Sequence, residues 1–292
     1  MSGLNGVLPV DKPSGPTSHD VVATARRALK LRRIGHTGTL DPFASGLLLL
    51  CLGPATRIAE YLTSLDKSYA ATVRLGIATD TDDHTGEPVS VSEGWRELTE
   101  GQVREALEAQ TGTILQTPPA YSAKKVAGER MYAAARRGEV VERTPVSVTI
   151  HSIRITRFEL PELDLEIDCG SGTYIRAIAR DLGEALGVGA HLTALRRTRV
   201  GRFEVGSALA MEALGDEQAV RAALLAPAEA LSHLPAVTLN EVETSAVLHG
   251  RAVAAPESVP STGPLVLLSG QRELVAVAER SGAKIRPRKV FA

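Results

Sequence analysis

Residues 35–52 read Gly35-His36-Thr37-Gly38-Thr39-Leu40-Asp41-Pro42-Phe43-Ala44-Ser45-Gly46-Leu47-Leu48-Leu49-Leu50-Cys51-Leu52. The two halves of this stretch make different demands. In the first, glycines at 35, 38 and 46 open backbone conformations closed to other residues, and Pro42 turns Asp41 away from helical geometry toward an extended one. The outcome is a shaped loop holding up one carboxylate. The second half is apolar throughout and reads as a buried run. A loop so constrained around a lone acid is where chemistry often sits.

The segments on either side alternate between strands and helices. Residues 7–10 read as an opening strand and 11–16 as a turn. Thr17 or Ser18 then caps a helix whose inner side carries Val21, Val22, Ala25, Ala28 and Leu29. Residues 70–78 read as a strand and 79–86 as a polar turn. Thr99 and Gln102 form a capping box for a helix through Val103 and Leu107, stopped by Gly112. From 117 to 143 basic residues outnumber acidic ones. This stretch reads as a surface arm with a short helix ending at Gly138.

Residues 146–155 read as a strand with a bulge near His151. The next strand alternates, with Leu163, Leu165, Ile167 and Cys169 on one side and Asp164, Glu166 and Asp168 on the other. That pattern belongs to an antiparallel sheet with one covered face. Residues 173–186 form the clearest helix, its apolar stripe made by Ile175, Ile178, Ala179, Leu182 and Leu186, with Gly187 as its end. Alanine-rich 208–231 reads as helical. After a break at His233-Leu234-Pro235 come a short helix at 241–248 and a hairpin joining 264–268 to 274–278. The reading is α+β: a mixed, largely antiparallel sheet flanked by helices over 1–232, and a small β-rich unit over 233–292. A unit of about 60 residues ought to lean on the main domain for stability.

Composition narrows the function. Of 292 residues 43% are hydrophobic, the balance of a globular chain. No apolar stretch approaches the roughly 20 residues that span a bilayer, and no signal-peptide pattern opens the chain. The cytoplasm is the expected location. Two cysteines, Cys51 and Cys169, exclude a disulfide framework and a four-cysteine zinc site. The net charge of −1 carries no global mark of nucleic-acid binding, but three basic clusters do stand out. They are Arg26, Arg27, Lys30, Arg32 and Arg33; Arg196, Arg197, Arg199 and Arg202; and Lys284, Arg286, Arg288 and Lys289. Taken singly, each reads as a solvated helix face or a flexible end. Together they suit a protein with one positive face.

Several blocks, in order, resemble the TruB-type tRNA pseudouridine synthases of bacteria. Asn5-Gly6-Val7-Leu8 with Asp11-Lys12-Pro13-Ser14-Gly15-Pro16-Thr17-Ser18 is similar to the family's first block, and the Asp41 loop to its signature. Lys67-Ser68-Tyr69, Leu75-Gly76, Thr79-Asp80-Thr81-Asp82, and the stretch from Gln116 to Ala123 continue the pattern. Ser171-Gly172-Thr173-Tyr174-Ile175-Arg176, Ala190-His191-Leu192 and Leu195-Arg196-Arg197 close it. The C-terminal unit is similar to the family's PUA-like RNA-binding domain.

The resemblance implies a pseudouridine synthase fold and conversion of uridine 55 in the tRNA T-loop, with no cofactor and no metal. It implies tRNA as partner through the T-arm, no obligate protein partner, and a monomer acting alone. The target base must be flipped out of the loop to be reached. Asp41 takes the place of the catalytic aspartate, as nucleophile at C1′ or as a base at C2′; both routes stay open. Outside this context it would read as a turn carboxylate bonding local amides. Tyr69 matches the tyrosine that stacks on the base and helps remove the C5 proton; otherwise it is a core sheet tyrosine. Arg176 is matched to the partner of Asp41 and Asp83, and an opposite charge within about 4–6 Å favours the ionised carboxylate.

Tyr174 and Leu195 correspond to pocket positions, His36 to the histidine that fills the space left by the base, and Lys12 with Pro13 to the pocket wall. Asp80, Asp82, Asp83 and His84 are compact and oxygen-rich, as hard cations prefer, but the calcium-loop pattern lacks its closing glutamate. Structural and ion-pair work is expected of them. Two other function classes compete: an RNA chaperone that opens and refolds the T-loop, and a metal-dependent phosphate enzyme built on the acidic turn.

Overall fold

The computed structural model describes residues 3–120 and 144–291, with the backbone alone of residues 125–126 and 129–130 between them. Apart from those four residues, the arm read over 117–143, with its helix ending at Gly138, lies outside the described residues from 121 onward.

Ten strands make the main sheet: β1 (Gly6–Lys12), β2 (Ile34–His36), β3 (Ser45–Leu52), β4 (Lys67–Leu75), β5 (Gly112–Gln116), β6 (Val146–Glu159), β7 (Glu162–Cys169), β8 (Ala190–Val200), β9 (Phe203–Glu204) and β10 (Leu209–Ala210). The path runs β10-β1-β3-β8-β4-β7-β6-β5, with β2 on β3 and β9 on β8. Every adjacency is antiparallel except β1 with β10 and β3 with β8. The mixed, largely antiparallel sheet of an α+β protein is therefore present.

The apolar run of β3 has a two-sided cause. Leu48, Leu50 and Leu52 pack with α1 (Ser18–Ala28), through Val21, Val22 and Ala25. Leu47, Leu49 and Cys51 point the other way, into a cluster completed by Val266, Leu268 and Val277 of the C-terminal unit. A strand covered on both faces has no polar side to show. Thr17 and Asp20 close the capping box that starts α1. Thr99 and Gln102 do the same for α2 (Glu100–Glu108). Helix α3 (Ile175–Ala185) lays Ile175, Ile178, Ala179 and Leu182 against Val73, Leu75, Leu163, Leu165 and Ile167. Each fully buried Leu or Ile contributes about 1.5–3 kcal/mol there.

The C-terminal unit is a five-stranded sheet with α4 (Glu241–Leu248) and its own cluster around Leu239, Val247, Leu265, Leu267, Ala276 and Ile285. Its hairpin joins Pro264–Leu268 to Leu274–Ser281. Lys289 Nζ donates to Arg57 O at 2.7 Å and pairs with Glu60, fastening the last strand to the main domain.

Three readings are corrected. Asp11 and Lys12 end β1 instead of opening a turn. The strand read over 70–78 starts at Lys67 and stops at Leu75. Gly76, at φ +91 against the Trp95 ring, breaks it, and Ile77–Thr79 pairs instead with Pro88–Val91. The helix read over 208–231 is a strand, β10, followed by short turns and the helices Glu217–Ala223 and Pro227–Ala230. Parallel pairing of Leu209 and Ala210 with Val10 and Asp11 overrides alanine's helix preference. Strand β8 also has no counterpart in the sequence reading, because its three arginines mask the alternation. The bulge near His151 is present, between Ile150 and Ser152.

Candidate active site

The loop around Asp41 is held from several sides. Gly15 N donates to Pro42 O at 2.8 Å, and Ser14 Oγ to Phe43 O at 2.8 Å. Ser18 Oγ accepts from Leu40 N at 2.8 Å and donates to Leu40 O. Lys12 lies wholly buried beneath, its Nζ donating to the carbonyls of Pro13, Pro16 and Pro42. Loss of water lowers the Lys12 ammonium to about 8, with Asp41 pulling the other way. Arg197 closes the loop from the far side through Leu47 O at 2.7 Å, Gly38 O at 3.1 Å and Thr39 O at 3.4 Å.

Asp41 is thereby set against the first turn of α3. Arg176 Nε stands 3.0 Å from Asp41 Oδ2, and Arg176 Nη2 donates to Oδ1 at 3.3 Å. The same guanidinium reaches Asp83 Oδ2 at 3.3 Å and Thr81 O at 2.8 Å. Asp83 is in turn fixed by Thr85 N and the Thr81 hydroxyl, each at 2.9 Å. Arg176 and Asp83 are 5% exposed, whereas the Asp41 side chain keeps 35% of its surface open. One carboxylate of the pair is therefore structural and the other faces outward. Burial pushes the Asp41 carboxyl up, and the Arg176 charge is the largest influence opposing it.

The start of α3 is pinned by Gln116, which accepts from Tyr174 N at 2.8 Å and donates to Tyr174 O at 3.1 Å. Strand alternation brings Lys67 and Tyr69 to the same buried side of β4. Tyr69 is 7% exposed; burial raises its phenol and the charge of Arg197 opposes that rise. Lys67 Nζ donates to Thr63 O and Leu65 O, and burial lowers its ammonium to about 8.

Asp41, Tyr69, Tyr174, Arg176 and Leu195 all line one cavity of about 420 Å³, together with Lys67, Thr63, Arg197 and residues 171–173. Three of the residues singled out in the sequence stand behind its surface. Lys12 supports the loop, Asp83 backs Arg176, and His36 ends β2 with its Nδ1 accepting from Gly38 N at 3.3 Å. Lys67, Arg197 and Gln116 were missed as site residues. Lys67 and Arg197 each lie two positions from a recognised residue, Tyr69 and Leu195, and β-period reading would have found them. The acidic turn is occupied by ion pairs and backbone bonds: Asp83 with Arg176, Asp82 with Arg180 at 3.2 Å, and Asp80 accepting from Glu87 N.

A mixed sheet whose central strands and one helix N-terminus converge on an arginine-bound aspartate defines the pseudouridine synthase class. Comparison with known proteins makes this specific. Residues 26–175 match the TruB family pseudouridylate synthase N-terminal domain, and 176–234 the tRNA pseudouridylate synthase B C-terminal domain. The chain is 46% identical over 283 residues to tRNA pseudouridine synthase B of Aromatoleum aromaticum, covering 96% of this chain and 90% of that one. With tRNA pseudouridine synthase B of an Arthrobacter species it shares 44% over 301 residues, covering 99% and 97%. Among solved structures, a chain of a Cbf5-Nop10-Gar1 complex superposes with a TM-score of 0.78 at 28% identity, covering 98% of this chain and 85% of its own. A chain of an H/ACA RNP bound to a substrate RNA containing 2′-deoxyuridine gives 0.77 at 27%, with the same coverages. The chain belongs to the TruB family.

Proposed function

We propose that the protein isomerises uridine 55 of the tRNA T-loop to pseudouridine, with Asp41 as the catalytic carboxylate. The observation that carries this is the open edge of Asp41, held by a buried Arg176–Asp83 pair at the mouth of a cavity fit for an extruded base. The base is flipped out of the loop, its N1–C1′ bond breaks, and the base turns within the pocket. It then rejoins C1′ through C5, the C5 proton leaves, and the freed N1 takes up a proton in its place. Atoms and electrons balance within the substrate, so the chemistry calls for no cofactor or metal. Asp41 meets the ribose as nucleophile or as base. Tyr69 stacks on the uracil and assists removal of the C5 proton, Tyr174 and Leu195 wall the base, and His36 occupies the place it vacates. Lys12 and Asp83 act from behind, holding the loop and the guanidinium.

In this reading residues 1–232 form the catalytic domain, and 233–292 a PUA-like unit that adds RNA contacts. The basic stretch 117–143 closes over the RNA. The protein works on the T-arm as a monomer, in the cytoplasm; among the described residues no helix is long and apolar enough to cross a membrane. The test is a T-arm minihelix incubated with purified protein and EDTA, with pseudouridine mapped chemically. Asp41→Asn is expected to bind tRNA as the wild type does and to form no pseudouridine. Normal turnover in that variant removes Asp41 from the mechanism, and loss of activity in EDTA points to the metal-dependent class.

A further inference from the structure

Arg197 is 2% exposed, and among the described residues no carboxylate forms an ion pair with it. A buried cation with no anion is costly, and it persists where other dipoles answer the charge. Here main-chain oxygens do so, and their positions are informative. Gly38 O and Thr39 O precede Asp41 and Leu47 O follows it, so one guanidinium grips both ends of the loop that displays the carboxylate.

The strand register adds a second link. On β8, Arg197 stands opposite Tyr69 of β4 on one side and Gly46 of β3 on the other. Residues directly opposite in a sheet keep their Cβ atoms about 4.5–5.5 Å apart, and Arg197 and Tyr69 line the same cavity. Gly46, at φ +104, lets β3 approach so closely that a Cβ there would lie 2.3 Å from Arg197 O. All three guanidinium nitrogens are already engaged with protein oxygens, which leaves the group poorly placed to grip an RNA phosphate.

We propose that Arg197 is a positioning residue that locks the Asp41 loop to the strand carrying Tyr69, setting the Tyr69 phenol against the same pocket face as the carboxylate. The proposal rests on the roles given above to Asp41 and Tyr69. Lysine is a poor substitute, because a single ammonium on a flexible stem cannot span three carbonyls and face a phenol at once.

Single-turnover pseudouridine formation on whole tRNA, with the full-length protein, tests this. Arg197→Gln is expected to slow the reaction by about 10- to 100-fold, the loss typical of a hydrogen-bonded charged group. Arg197→Lys should fall in between, and tRNA affinity should stay within about twofold in both. Acting through Tyr69, Arg197→Gln should cost little more on top of Tyr69→Phe. Full multiplication of the two effects, or a wild-type rate in Arg197→Lys, overturns the proposal. If Arg197→Gln does not fold, Arg197→Lys alone and combined with Tyr69→Phe carry the same comparison. Amide exchange over residues 37–44 should rise in the Arg197 variant and not in Tyr69→Phe; unchanged exchange also overturns it. That measurement needs no turnover. An inactive wild-type protein sinks the functional reading by itself, whereas an active one with multiplying effects sinks only the role of Arg197.

Discussion

Asp41 and Arg176 show how two residues 135 positions apart in sequence become one chemical unit. Burial raises the Asp41 carboxyl above its ordinary value and Arg176 holds that rise in check. In the proposed reaction Asp41 acts as an ionised carboxylate, so the acid limb of the rate–pH profile should lie above the pH at which a free aspartate titrates. Arg176→Lys keeps a charge but loses the forked contact. The limb should therefore move to higher pH, because a nearby positive charge favours the ionised carboxylate. Single-turnover rates across pH check this, and an unmoved limb contradicts it. Asp83→Ala strands part of a buried guanidinium and should destabilise the fold by about 3–5 kcal/mol in urea unfolding. The lysines give a stability window of opposite sense. Lys12 and Lys67 are lowered from 10.5 to about 8, so between those values the unfolded chain binds more protons than the native one. Stability contributed by each rises with pH across that window. Lys67→Met should flatten the rise measured by urea unfolding between pH 8 and 10.

At the scale of elements, the three basic clusters part ways. Arg196 pairs with Asp11, Arg199 with Asp168 and Arg202 with Glu229, while Arg197 is buried. In the tail, Arg288 pairs with Glu279 and Lys289 with Glu60. At the end of α1, by contrast, Arg27, Lys30 and Arg32 are exposed, and Arg27 feels the carboxylate of Asp20, earlier on the same helix. This corner, like Lys284 and Arg286 of the tail, presents exposed basic side chains to solvent. Replacing those three with glutamate should weaken tRNA binding and flatten its salt dependence, because each phosphate contact adds about 0.7–0.9 to the slope. Arg199→Ala should do far less. Equal effects in a salt titration count against this division. Sequence spacing revealed where the charges cluster, but strand pairing decided which of them are already answered.

Taken whole, the molecule has no clean seam between its two parts. Val266, Leu268 and Val277 of the C-terminal unit share a buried cluster with Leu47, Leu49, Ile58 and Leu62 of the main domain. Removing residues 233–292 uncovers that apolar surface directly behind the strand that follows the Asp41 loop. Thermal unfolding is expected to show one cooperative transition, and Leu268→Ala to lower stability by about 2–5 kcal/mol without splitting it. Two separate transitions in calorimetry would contradict this.

Local chemistry was legible in the chain itself. Caps at Thr17 and Thr99, the alternation of β7, the stripe of α3 and the glycine-framed Asp41 are short-range patterns, each fixed by a few neighbouring residues. Order in the sheet, the bend at Gly76 and the strand hidden in residues 190–200 depend on partners far along the chain, which no local period records. The meeting of Asp41, Arg176 and Asp83, and the burial of Arg197 among main-chain oxygens, were decided only by tertiary packing. A charge finds its counterpart through space, and distance in space is what folding alone supplies.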